Sequence, residues 1–307
     1  MVVADRLPAM AARALEDAYA LVDISTDRAG GLAAGRGARA AVRGGKGYFD
    51  AATIAALPEL GVICTFGAGY ETIDLAACRA RGVAVANAPG VTDACVADLA
   101  FGLIIAAGRR IVAADRFVRA GRWPAESFPL TRRITGRRLG ILGLGRIGLE
   151  IARRAAGFSM AVHYCTRQPR PALAHTWHAT ALELARAVDI LVVACPGGPE
   201  TRHLVDRAVL DALGPQGLLV NIARGSVVDE AALVAALTEG RLGAAGLDVF
   251  EAEPVVPEAL LALDNVVLTP HRAGGTIDTW EDCARLLRAN LDAFFAGRPV
   301  LTPVALG

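Results

Sequence analysis

The chain has 307 residues, 54% of them hydrophobic and 21% charged, with 32 Lys and Arg against 31 Asp and Glu. That composition describes a folded protein large enough for two cores, and a net charge of +1 gives no electrostatic grip on nucleic acid or an anionic membrane. Mean hydropathy is high at +0.41, yet the longest uncharged stretches, such as 155–166 and 212–223, stop short of the ~20 apolar residues that a spanning helix needs. The first residues, Met1 to Arg6, carry acid and base where a secretory leader would need an apolar run, so a cytoplasmic protein with no membrane partner is expected.

Short apolar runs alternate with helix-like segments along the chain. In order, strands are predicted at a stump near Met1–Val3, then at 19–24, 39–42, 61–66 and 83–86. A helix over 74–81 closes at Gly82. A long apolar helix runs from Thr92 to Gly121. Further strands follow at 139–142, 161–164, 190–194, 218–221, 244–247 and 266–268. A helix over 229–239 closes at Gly240, and a last helix covers 279–295. Continuous Val/Ile/Leu/Ala strands separated by helices mean α/β architecture with parallel sheets covered on both faces. The long helix divides two such units. Residues 1–97 and 280–307 are expected to form one discontinuous domain, with 98–279 inserted into it.

The six cysteines, Cys64, Cys78, Cys95, Cys165, Cys195 and Cys283, include no C-x-x-C pair and none near a His at zinc-ligand spacing. They read as reduced thiols, and no metal is expected. His175 and His178, in His-Thr-Trp-His, read as a surface loop.

Gly143-Leu144-Gly145-Arg146-Ile147-Gly148 has G-x-G-x-x-G spacing between a predicted buried strand and an amphipathic helix. In that context the motif predicts a dinucleotide site. Gly143 permits the tight turn, Gly145 lets a pyrophosphate approach the backbone, and Gly148 lets helix and sheet pack closely. An NAD site usually places an acid at the end of the next strand. Here no Asp or Glu occurs between Glu150 and Glu183, and Thr166, Arg167 and Arg170 stand there instead. A hydroxyl and guanidinium groups suit a 2′-phosphate, so NADP(H) is expected over NAD(H).

Three later motifs end predicted strands: Asn221-Ile222-Ala223-Arg224-Gly225, Gly246-Leu247-Asp248 through Glu253-Pro254, and Leu268-Thr269-Pro270-His271. Open α/β sheets build their sites at strand C-termini. His is the natural proton donor near neutral pH, a carboxylate on its second nitrogen fixes the ring, and an Arg fork can bind a carboxylate while polarising a carbonyl. With Gly67-Ala68-Gly69-Tyr70-Glu71-Thr72-Ile73-Asp74, Asn87-Ala88-Pro89-Gly90, Pro199-Glu200-Thr201 and Arg224-Gly225-Ser226-Val227-Val228-Asp229, the sequence resembles the D-isomer-specific 2-hydroxyacid dehydrogenases over nearly its whole length, closest to the NADPH-dependent glyoxylate/hydroxypyruvate reductases.

The resemblance implies two Rossmann-like parallel-sheet domains, the cofactor domain inserted into a flavodoxin-like substrate domain. It implies an oxidoreductase that reduces small 2-keto acids to D-2-hydroxy acids, with His271 as acid/base, Glu253 as its partner and Arg224 on substrate. Ala68 and Gly69 would offer N–H groups to the substrate carboxylate. The coenzyme would meet Gly143, Gly145, Arg146, Ile147, Gly148, Thr166, Arg167, Arg170, Cys195, Pro196, Thr201, Ile222, Ala223, Asp248, His271 and Gly274, with Asp248 orienting the nicotinamide carboxamide. The long helix would form a homodimer through the cofactor domain. Phe66 and Trp280 are candidates to line the substrate pocket, and Arg272 stands where relatives often carry a neutral residue. Two alternatives are a formate- or phosphite-type NAD dehydrogenase on the same fold, and a nucleotide-sensing binding protein of the co-repressor kind.

Overall fold

A computed structural model describes residues 1–5, 7–45 and 47–306. The chain divides into two compact units, Met1–Thr92 with Gly274–Gly307, and Asp93–Ala273. The sequence reading put these boundaries at 97/98 and 279/280.

The first unit runs β1 (Val2–Val3), α1 (Ala9–Glu16), β2 (Val22–Asp23), α2 (Arg28–Ala34), β3 (Ala40–Arg43), α3 (Ala51–Ala56), β4 (Val62–Thr65), α4 (Leu75–Arg81) and β5 (Ala84–Ala86). Its five strands pair in parallel in the order β2-β1-β3-β4-β5, the flavodoxin-like arrangement. Three of its helices start on an aspartate whose carboxylate accepts an N–H of the first turn: Asp27 from Gly30, Asp50 from Thr53 and Asp74 from Ala77. Gly82 ends α4 at φ +65°, a left-handed position that favours glycine.

The second unit opens with α5 (Asp93–Gly108) and α6 (Ile111–Arg119). The single long helix expected over 92–121 is therefore two. Arg110 takes φ +51° between them. The mostly buried, apolar helix α5 gives way there to a more exposed helix with one apolar face, so the chain turns where its burial changes. Then come β6 (Arg138–Leu142), α7 (Arg146–Ala155), β7 (Ala161–Cys165), β8 (Thr176–His178), α8 (Ala181–Ala187), β9 (Ile190–Val193), α9 (Arg207–Leu213), β10 (Leu218–Asn221), α10 (Glu230–Thr238), β11 (Ala244–Leu247), α11 (Glu258–Leu261) and β12 (Val266–Leu268). The seven strands are parallel, in the order β12-β11-β10-β9-β6-β7-β8. Side chains alternate between two cores. Leu191, Val193 and Leu219 join the core of α8, α9 and α10, while Ile190, Val192, Leu218 and Val220 join that of α5 and α7. The segment read as a loop at His175–His178 is instead the edge strand β8. It pairs with β7, and the His178 ring lies 3.0 Å from that of His163. The closing helix α12 (Ile277–Phe295) returns to the first unit, where Leu287 and Leu291 enter the core beside β3 and β4. Among the described residues no helix is long and apolar enough to cross a membrane.

Candidate active site

In the second unit all strands point their C-termini to one edge. The connections leave β6 toward β7 on one side, while β9 lies on the other, so the crevice beyond β6 is the switch point where such sheets bind ligands. The glycine turn sits there. Gly143 has φ +98°, and a Cβ on it would lie 2.5 Å from the Cys195 backbone nitrogen at the end of β9. A Cβ on Gly148 would lie 2.4 Å from the Gly143 carbonyl oxygen. The chain's own packing thus requires both outer glycines. Gly145 differs, because a Cβ there would meet nothing within 4 Å. Its side faces open space at the start of α7, whose first N–H groups receive no side-chain cap. A helix N-terminus that is open, uncapped and free of acids in its first turn fits a pyrophosphate. The backbone of Arg146 and Ile147 belongs to that first turn. The Arg146 side chain is directed elsewhere, with Nε 3.2 Å from Asp93. Burial raises the Asp93 carboxyl above its ordinary range, and Arg146 opposes that.

The next strand, β7, ends in the loop that carries Thr166, Arg167 and Arg170. Thr166 is half-buried, and its hydroxyl donates to the Gln168 carbonyl over 2.6 Å. Arg167 and Arg170 are exposed, Arg167 with a distant ion pair, 3.8 Å, to Glu200. Beyond β9, Cys195 is buried beneath the glycine turn, its thiol pushed up to about 11 chiefly by burial, and Pro196 is exposed. The Thr201 hydroxyl closes the following loop on the Pro196 carbonyl at 2.8 Å.

On the other side of the switch point lie the ends of β10, β11 and β12. Asn221, 1% exposed, accepts the Ala223 N–H and donates to the Arg224 carbonyl, fixing the turn through Ile222 and Ala223. Gly225 then passes so close to the end of β11 that a Cβ would lie 2.0 Å from the Phe250 carbonyl carbon. Only glycine holds Arg224, half-buried, in that position.

Asp248 is fully buried, and its carboxylate accepts three hydrogen bonds: from the Thr269 hydroxyl at 2.6 Å, the Arg272 N–H at 2.8 Å and the Ala273 N–H at 2.9 Å. These clamp the turn after β12. His271 sits at its apex with φ +53°, a left-handed conformation unusual for histidine. Its N–H donates to the Asp248 carbonyl, and its ring Nδ1 lies 2.8 Å from Glu253 Oε2. Glu253 Oε1 accepts the Phe250 N–H, which orients the carboxylate. The arrangement leaves the other ring nitrogen, Nε2, to exchange a proton. Arg272, unaccounted for in the sequence, contributes its backbone to Asp248 here. Gly274 follows directly and begins the return to the first unit.

Ala68 and Gly69 lie in the first unit, on the loop after β4. Their carbonyls are tied back. The Asn87 side chain donates to Ala68 O at 2.7 Å, and the buried Arg43 guanidinium donates to Gly69 O at 2.7 Å as well as to Gly45 O and Gly47 O. Thr65 holds the Gly67 carbonyl. Among the described residues no acceptor takes the Ala68 or Gly69 N–H. Phe66 is buried in the core of this unit with Trp280 edge-on, ring centroids 6.0 Å apart. Sequence reasoning missed Arg43 and quoted Asn87 only within a motif, without a role. The available signal was a charged residue ending an otherwise apolar strand, Ala40-Ala41-Val42-Arg43.

Residues 101–273 match the family description "D-isomer specific 2-hydroxyacid dehydrogenase, NAD binding domain". The chain belongs to the D-isomer specific 2-hydroxyacid dehydrogenase family. A hydroxyphenylpyruvate reductase of Plectranthus scutellarioides is 51% identical over 266 residues, 87% of this chain and 85% of the relative. Glyoxylate/hydroxypyruvate reductase A of Arabidopsis thaliana is 50% identical over the same shares. Among solved structures of the family, a 2-hydroxyacid dehydrogenase from Ketogulonicigenium vulgare Y25 superposes with TM-score 0.93 at 46% identity, covering 99% of this chain and 97% of that one. The NADPH-dependent glyoxylate/hydroxypyruvate reductase of Sinorhizobium meliloti, in complex with NADP and malonate, also gives 0.93, at 42% identity and 99% and 96% coverage.

Proposed function

We propose that this dehydrogenase reduces small 2-keto acids, glyoxylate and hydroxypyruvate among them, to D-2-hydroxy acids, and prefers NADPH to NADH. The observation that carries the reading is the His271–Glu253 pair, 2.8 Å apart, on the strand edge that also bears Arg224 and the open glycine turn. Bound NADPH would supply a hydride to the carbonyl carbon. His271 Nε2 gives the proton to the carbonyl oxygen, which completes the alcohol. Glu253 on Nδ1 fixes the ring and leaves Nε2 to face the carbonyl oxygen. Arg224 binds the carboxylate and polarises the carbonyl. In the first unit, the Ala68 and Gly69 N–H groups, which no acceptor takes among the described residues, suit a carboxylate. The coenzyme would be held by Gly143, Gly145, Gly148 and the first turn of α7, and Cys195, Pro196, Thr201, Ile222, Ala223, Asp248 and Gly274 would serve its nicotinamide half.

The NADPH preference is supported by the hydroxyl and guanidinium groups of the 166–170 loop, by the absence of any carboxylate between Glu150 and Glu183 in sequence, and by the NADP bound to the Sinorhizobium relative. We also infer a homodimer formed through the cofactor domain. Ile111, Val112, Val118, Trp123 and Leu130 leave that unit with large exposed apolar side chains around α6. Six free thiols suit a reducing compartment such as the cytoplasm. Neither the formate/phosphite nor the nucleotide-sensor alternative is favoured by relatives named as keto-acid reductases. The Plectranthus relative does favour a second reading, a substrate with an aromatic side chain. Steady-state rates with glyoxylate, hydroxypyruvate and 4-hydroxyphenylpyruvate, each with NADPH and NADH, decide among these. Rates with NADH equal to those with NADPH on every acid would refute the preference, and no turnover of any acid would refute the reaction.

A further inference from the structure

The 166–170 loop is held at both ends by one cross-strand pair. Tyr164 on β7 stands opposite Trp177 on β8. The Tyr164 ring is buried at 1% exposure in the core under α7, and its hydroxyl oxygen accepts the Arg170 N–H at 2.7 Å. The Trp177 indole N–H donates to the Thr166 carbonyl at 3.1 Å. Within the loop, the Thr166 hydroxyl binds the Gln168 carbonyl, and Pro169 and Pro171 restrict the backbone on either side of Arg170.

Trp177 is 36% exposed and sits on a three-residue edge strand. Among the described residues it is grouped with none of the four apolar cores. A tryptophan so placed packs outside those cores, and the partner of its indole N–H is the loop. The neighbouring His163–His178 contact, 3.0 Å between ring nitrogens, fastens β8 to β7 on either side of that pair.

We infer that Tyr164 and Trp177 are positioning residues for coenzyme selection, pinning the 166–170 loop, which the Thr166 hydroxyl closes on Gln168, so that Arg167 and Arg170 are already placed to receive a 2′-phosphate. This rests on the NADPH preference proposed above. Neither residue touches the phosphate. Their part is to remove the ordering that a free loop would undergo on binding, so the loss of either pin falls on 2′-phosphorylated nucleotides alone.

Isothermal titration of the full chain with 2′,5′-ADP and with 5′-AMP tests this on the unmutated protein, Tyr164→Phe and Trp177→Phe. Tyr164→Phe removes one hydrogen bond and keeps the ring, and Trp177→Phe removes one and leaves a smaller aromatic ring in place of the indole. Loss of one such bond is expected to weaken 2′,5′-ADP about fivefold, with 5′-AMP changed less than about twofold. The KM for NADPH rises in parallel while kcat holds. Equal losses on both nucleotides, as a merely structural role would give, overturn the inference. So does unchanged 2′,5′-ADP affinity in both variants, which leaves the coenzyme preference standing. Unmutated protein that binds the two nucleotides equally refutes the preference itself, and the inference falls with it. The two variants act at opposite ends of the loop, so either one suffices if the other does not fold.

Discussion

Asp248 is the residue on which the geometry of His271 most depends, and Asp248→Asn isolates that dependence. The substitution preserves shape but replaces one accepting oxygen by an NH2 group. In the better orientation the amide oxygen keeps Thr269 and Arg272, and the NH2 faces the Ala273 N–H that was bonded at 2.9 Å. That leaves a buried backbone donor unmet, at about 1–3 kcal/mol, and turns two charge-assisted bonds into neutral ones. A total near ~2–4 kcal/mol follows. Against it stands the left-handed backbone of His271 at φ +53°, which by itself costs about 1–2 kcal/mol for an L-residue. The turn is held in that conformation only while Asp248 overdetermines it. Once the clamp weakens, His271 is free to relax to negative φ and carry its ring away from Glu253. We expect kcat with saturating NADPH to fall about ten- to a hundredfold, the cofactor domain to unfold at lower denaturant, and binding of 5′-AMP to change little. The imidazole N–H proton bonded to Glu253, visible far downfield by NMR, should be lost or broadened. A variant with kcat within about twofold of the parent and that resonance intact would refute the reasoning.

Gly145→Ala places a methyl in open space, so it should weaken NADP(H) binding with little change in stability, whereas Gly148→Ala, with its Cβ 2.4 Å from the Gly143 carbonyl, should lose both; equal stability of the two variants in a thermal melt would contradict the assignment. Arg224→Lys keeps the charge but not the fork, and is expected to raise KM for glyoxylate and lower kcat together; a change in KM alone would remove the carbonyl-polarising role. His163 is held below the ordinary histidine value first by burial, then by His178 and Arg138, with Asp189 opposing. The unfolded chain therefore takes up a proton near pH ~6.5 that the folded protein resists, so stability is full above that pH and declines as pH falls below it. Arg138 holds Asp189 down at about 2, so the charge of that carboxylate does not change in this window. His163→Gln should flatten the decline between neutral and mildly acid pH in thermal melts, and an identical slope would show that another group is responsible.

Much of the fold was legible because it rests on local physics. Asp74 and Gly82 bracket α4 as a cap and a left-handed stop, and both act over a few residues. The glycine turn was legible because spacing, preceding strand and following helix agreed. The features that escaped depend on contacts made at long range. Gly108 ends α5, but a lone glycine within an apolar run is a weak stop and the positive φ falls on Arg110, so α5 and α6 read as one helix. The edge strand β8 holds only Thr-Trp-His, too short and too polar for an alternating pattern, and its place comes from pairing with β7. Arg43 lies one residue past the strand expected at 39–42 and ends the observed β3, and its contact to Gly69 lies across 26 residues.

The candidate site divides along the same line. Residue chemistry and the strand-end rule named Arg224, Glu253 and His271, since each type has few other tasks beside a nicotinamide. The support beneath them was not legible. Asp248 reads from sequence as a ligand to the coenzyme, yet three of its acceptor positions are taken by the turn that carries His271. Gly225 reads as part of a motif, yet what demands glycine is the Phe250 backbone in the loop after β11. Sequence patterns name the groups that do chemistry because that chemistry restricts the choice of residue type. The residues that hold those groups in place are selected by distances of a few ångströms across strands, and such distances exist only once the sheet has formed.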